Sequence, residues 1–166
     1  MSSASTKIIQ AAAGNAGEAL YVEDVFSTYL YEGNGSTKTI TNGIDLAGEG
    51  GLVWIKRRDS AANHALFDTE RGAGKAVESS TTASETTSPS GDLNGFNSNG
   101  FSLGSNFAQN VNTGSTDYVS WTFRKDPKFF DVVTYSGNSV NGRQIPHSLN
   151  SAPGFIIVKC FSLAVI

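Results

Sequence analysis

From Val25 onward, apolar and polar residues either alternate with a period of two or gather in short apolar bursts, the two signatures of β-strands. An aromatic-rich run around Tyr29 and Tyr31 closes at Gly33-Asn34-Gly35. Thr37, Thr39 and Thr41 alternate with Lys38, Ile40 and Asn42, which predicts a half-exposed strand. Leu52-Val53-Trp54-Ile55 is continuously apolar and closes on Lys56-Arg57-Arg58, the pattern of a central strand covered on both faces. Weaker strands are predicted at His64–Phe67 and Lys75–Val77. Phe96, Phe101 and Leu103 mark a hairpin with Asn99-Gly100 at its turn, and Tyr118–Phe123 reads as a last strand before Pro127. Five Asn-Gly pairs, beginning at Asn34, Asn42, Asn94, Asn99 and Asn141, supply tight-turn chemistry. Short strands, frequent turns and no long helical period predict an all-β fold, an antiparallel β-sandwich of jelly-roll type.

The pattern nearly repeats itself. Phe26 to Asp59 (FSTYLYEGNGSTKTITNGIDLAGEGGLVWIKRRD) has a second version at Phe129 to Ser162 (FFDVVTYSGNSVNGRQIPHSLNSAPGFIIVKCFS). Phe26 aligns with Phe130, Tyr31 with Tyr135, Ile40 with Ile145, and Gly51–Lys56 with Gly154–Lys159. Self-similarity at a fixed spacing marks a modular array. The expected organisation is an N-terminal arm at 1–23, a sandwich module at 24–126, and the opening strands of a second module at 127–166. Residues 129 to 166 are expected to pair with the first module's sheet or with another chain, because the alternating Phe161, Leu163 and Val165 would give a strand there one wholly apolar face.

Composition narrows the function classes. Charged residues make up only 16% of the chain, with a net charge of −3 and no basic block, so nucleic acid is not an expected partner. No apolar stretch approaches the ~20 residues of a membrane-crossing helix, and the start lacks a secretory pattern, so if the protein leaves a cell, exit on an assembled particle or by lysis is expected. The arm carries Ile8-Ile9 in a stretch able to make one or two helical turns, marginal in water: either a frayed terminus or an arm that orders only when docked on a neighbouring protein. The single cysteine, Cys160, lies in an apolar run that predicts a buried, inert thiol.

Candidate chemistry is sparse. His64 and His147 have no metal-ligand spacing, and His147 follows Pro146 in a turn-like stretch. Gly72-Ala73-Gly74-Lys75 lacks the rest of a phosphate loop and reads as a glycine hairpin. Asp68 and Glu70 share a strand face but have nothing to separate their roles as acid and base, and Arg71 next door suggests an ordinary ion pair at a strand end. Tyr29, Tyr31, Trp54, Phe101, Tyr118, Trp121 and Phe123 are expected to fill the interior. Neither catalysis nor a cofactor or metal is expected.

YVEDVFSTYLYEGNGSTKTITNGIDLAGEGGLVWIKRRD, followed by HALFDTERG, FNSNGFSLGS and DYVSWTFRK, resembles modules of tail-fibre-like and other virion structural proteins of marine bacteriophages. FFDVVTYSGN with IPHSLNSAPGFIIVK is similar to the start of a further module in the same proteins. The resemblance covers about residues 20 to 160 and implies a lectin-like (concanavalin A-like) jelly roll, a structural or adhesion role and a place in the virion, with no catalytic residues. The expected partners are other virion proteins, met through residues 1–23, and further copies of the chain in a trimer or higher ring. Interface candidates are Ile8, Ile9, Phe161, Leu163, Val165 and Ile166. The alternative is a carbohydrate-binding module for a host surface glycan, with its site on loop 78–92 and the turns from Asn94 to Asn112.

Overall fold

The computed structural model describes residues 20–88, 90–105 and 108–162. After one helical turn, α1 (Val22–Val25), come nine strands: β1 (Phe26–Glu32), β2 (Lys38–Thr41), β3 (Gly51–Arg57), β4 (Ala65–Asp68), β5 (Lys75–Glu78), β6 (Thr86–Thr87), β7 (Leu93–Asn97), β8 (Gly100–Leu103) and β9 (Asp117–Arg124). They form a six-stranded sheet, ordered β1-β9-β3-β4-β5-β6, and a three-stranded sheet, β2-β8-β7. Every pair of named strands is antiparallel. The expected all-β antiparallel sandwich is therefore present.

Between the sheets lies one buried cluster. Tyr31, Val53, Ile55, Ala65, Phe67, Ala76 and Tyr118 come from the larger sheet, and Ile40, Leu93, Phe101 and Leu103 from the smaller. Strand periodicity decides which side chains enter: in β2 only Ile40 is buried while Thr39 and Thr41 face water, as their alternation predicts. Tyr31 and Tyr118 stack with ring centroids 5.1 Å apart. The Tyr31 hydroxyl donates to the Val111 carbonyl at 2.7 Å, and burial pushes its pKa well above the usual phenol value.

β3 is the central strand that its composition predicts, held by β9 on one side and β4 on the other. Gly51 is required at its start, because a Cβ there would lie 2.0 Å from the Phe123 carbonyl oxygen. The Asn99-Gly100 hairpin also forms. Asn97 pairs with Gly100, and a Cβ on Gly100 would meet the Ile40 carbonyl oxygen at 2.0 Å. Asn94-Gly95 makes no turn; it lies at an irregularity in β7 between Leu93 and Gly95.

Three expectations need correction. First, only some of the aromatic residues are interior: Tyr31, Phe101 and Tyr118 are buried, Trp54, Trp121 and Phe123 are half-buried, and Tyr29 is exposed. The parity of β3 and β9 sends Trp54, Trp121 and Phe123 to the outer face of the large sheet. Trp54 and Trp121 are register partners there, with rings edge to face at 6.0 Å.

Second, no strand forms among the described residues after Arg124. The chain turns at Asp126–Phe130, where the Phe129 and Phe130 amides donate to the Asp126 carbonyl, and continues without a sheet neighbour. A strand needs a hydrogen-bonding partner along its length, and among the described residues the second copy of the repeat has none. What it does is cover. Phe130 stacks on Phe123 at 5.3 Å, and both Phe130 and Phe161 pack against the cluster of Leu52, Leu66 and Val77, which point outward from β3, β4 and β5. Third, Cys160 is exposed, since the apolar run before it is not drawn into a sheet.

Candidate interaction surface

The residues singled out for chemistry are drawn apart by the fold. Asp68 is buried at the end of β4, and its carboxylate accepts from Arg71 Nε at 2.6 Å. Arg71 also reaches Glu85 at 3.2 Å and the Leu66 carbonyl at 3.1 Å, so this buried guanidinium ties three segments together. Glu70 faces water and pairs instead with Lys125 at 2.6 Å. Each carboxylate thus has its own cation, which is the arrangement of structural ion pairs.

His64 Nδ1 accepts a hydrogen bond from Trp54 Nε1 at 2.9 Å. That nitrogen must therefore be unprotonated, in accord with a pKa lowered by burial and, secondarily, by Lys56. His147 is exposed and accepts from the Leu149 amide. Gly72 and Gly74 have positive φ in the connection from β4 to β5, the glycine turn expected of that motif. No cluster of three or more His, Cys, Asp or Glu among the described residues offers a metal site. No helix among them is long and apolar enough to cross a membrane.

An open groove of about 510 Å³ runs between Leu46–Gly50, Thr69-Glu70, Phe96 and Lys125. A second, of about 350 Å³, shares Glu70 and Lys125 and continues along Asp131–Thr134 to His147. Lys125 is the hinge of both. Its hydrogen bond to Glu70 is the main cause of its raised pKa, and Asp131 at 3.4 Å adds to it. Because Asp131 lies beyond β9, this trio latches the second copy of the repeat to the first module. Loop 78–92 contains no aromatic residue, and in 94–112 Phe96 is half-buried while Phe101 is fully buried. Among the described residues the expected glycan loops therefore present little ring surface for a sugar.

The dominant surface feature is apolar. Phe155, Ile156, Ile157 and Val158 are 82%, 68%, 52% and 71% exposed. Residues 152–158 belong to no strand and to no β-bridge among the described residues. On either side the second copy is fastened down: Lys128 donates from its amide to the Leu149 carbonyl, Lys159 Nζ donates to the Ala83 carbonyl at 2.8 Å, and the Glu85 amide donates to the Phe161 carbonyl at 2.9 Å. Phe161, expected at an interface, lies half-buried on its own module. Ile8, Ile9, Leu163, Val165 and Ile166 lie outside the described residues, as does the N-terminal helical turn. Sequence reasoning missed Leu30 and Tyr29 as surface residues. The signal was an aromatic-rich strand whose neighbours in the sheet could not be read from local pattern.

Residues 22–165 match the family described as "Domain of unknown function (DUF7483)". The chain belongs to this family. The match starts at the first residue of α1 and runs through β9 into the segment that covers the large sheet. No curated protein and no solved structure matches the chain.

Proposed function

We propose that the chain is a non-catalytic structural component of a bacteriophage particle, a tail-fibre or appendage module of jelly-roll type. In this reading residues 1–23 dock it to other virion proteins, and copies of the chain associate through β-strands. One observation carries the proposal: a phrase that builds a central strand in the first copy reappears in the second as four consecutive large apolar residues facing water. A soluble chain that must remain alone does not keep such a run uncovered, because it templates association. The likeness of several of its phrases to virion proteins of marine bacteriophages supports the same role.

The test is the composition of purified particles. Mass spectrometry of virions from the phage that carries the gene should find the chain in a fixed ratio to the other structural proteins. Its recovery only in the soluble lysate, with none in the particles, would overturn the assignment.

A further inference from the structure

The exposed large apolar side chains among the described residues fall into two stretches, Leu20 to Leu30 and Phe129 to Val158. The first surrounds β1, the outermost strand of the six-stranded sheet, which among the described residues is bonded on one side only, to β9. Its other side offers the outward-pointing N–H and C=O groups of alternate residues. Three of the usual safeguards of an exposed edge are missing there: β1 has no proline, no register shift against β9 and no charged side chain before Glu32. Leu30 is 57% exposed and Tyr29 37%.

The second stretch contains Gly154–Lys159, the counterpart of β3, which in its own module lies between two strands. Six extended residues span about 20 Å, close to the length of β1. Lys159 at one end of the segment suits either strand direction, since Glu32 closes β1 and Glu23 and Asp24 precede it. Its present exposed bond to the Ala83 carbonyl would be exchanged for a carboxylate.

The segment cannot serve its own β1. Phe161 is bonded to Glu85, beside β6, and β6 is the opposite edge of the sheet. Five strand steps separate β6 from β1, about 24 Å, whereas Val158 is only three residues from Phe161 and reaches about 10 Å at most. If this segment fills the edge of a β1, that β1 belongs to another molecule. We infer that residues 154–158 of one chain add as an extra strand to the free edge of β1 in a second copy. This deepens the assembly role proposed above. The contact joins unlike surfaces, so repetition generates a ring or a head-to-tail filament.

Two exposed-site variants of the full chain test this by sedimentation equilibrium. Ile156→Lys spoils the segment, and Leu30→Lys spoils the edge. The wild type is expected to associate as concentration rises, and each variant to lose association about tenfold or more while keeping the wild-type melting transition. Mixed together, the variants still hold one intact segment and one intact edge, so they should form a dimer and nothing larger. A wild type that stays monomeric at about 1 mM, near the weakest affinity of interest, would overturn the inference. So would a Leu30→Lys chain that associates like the wild type, or a mixture that fails to dimerise. Detection of the chain in virions is independent of this result, so failure of the strand contact and failure of the virion role can be told apart.

Discussion

Gly51–Lys56 and Gly154–Lys159 are near-twins, each a glycine, four large apolar residues and a lysine. In the first, Val53 and Ile55 are almost wholly buried and every residue from Leu52 to Ile55 has a register partner on both sides. In the second, the four apolar side chains stand in water. Gly51 admits the Phe123 carbonyl so closely that a Cβ would collide with it, whereas Gly154 has nothing within 4 Å. The difference teaches that β-propensity describes fit to a half-built surface and does not by itself form a strand. β9 and β4 make β3 what it is. Among the described residues no such strands flank the second copy, which lies as cover on the outer face with its most strand-like piece unpaired.

Paired substitutions sharpen the contrast. Ile55→Ala should cost about 2–5 kcal/mol by opening a cavity between the sheets. The aligned Val158→Ala should stay within about 0.5 kcal/mol in dilute protein, because nothing packs on that side chain. Thermal or denaturant unfolding reads both, and a comparable loss at Val158 would break the contrast.

Gly51→Ala should cost about 1–3 kcal/mol through the clash with the Phe123 carbonyl. Gly154→Ala should be nearly silent in the same unfolding assay. A smaller effect, about 1–2 kcal/mol, is expected for Phe161→Ala, which removes part of the cover over the Leu52, Leu66 and Val77 cluster. Its diagnostic readout is increased dye binding to the newly exposed outer face; unchanged dye binding and stability would deny the segment its covering role.

The smallest effect concerns pH and the first copy alone. The His64 pKa is lowered in the folded chain, so the unfolded chain binds the extra proton first. Stability should therefore fall as pH drops through the unfolded histidine value near 6.5 and level off once the folded ring also protonates. The loss of the Trp54–His64 hydrogen bond amounts to about 0.5–1 kcal/mol, toward the lower figure because the ring is partly solvated. His64→Gln should flatten that part of the pH profile, read from melting temperatures between pH 5 and 7.5.

Much of this was legible in the sequence where the cause is local. The Thr-Ile alternation marks β2, the continuous apolar run marks β3, and Asn99-Gly100 marks the β7–β8 hairpin. What escaped was everything set by distant partners. Trp54 reads as interior because its neighbours are aliphatic, yet strand parity sends it outward. Cys160 reads as buried because the run before it is apolar, yet no strand receives that run. Asp68, Glu70 and Arg71 are adjacent in sequence, and only the fold gives Glu70 to Lys125 and Arg71 to Glu85.

Residue-level amide hydrogen exchange is the most direct test of the claim that one phrase has two fates, set by its partners. In dilute protein, residues 52–56 should exchange only with global unfolding, while residues 155–158 exchange at nearly the rate of unstructured chain. Raising the concentration should slow exchange at 155–158 and along 26–32 together. Protection at 155–158 that equals that of β3 and does not change with concentration would contradict the account.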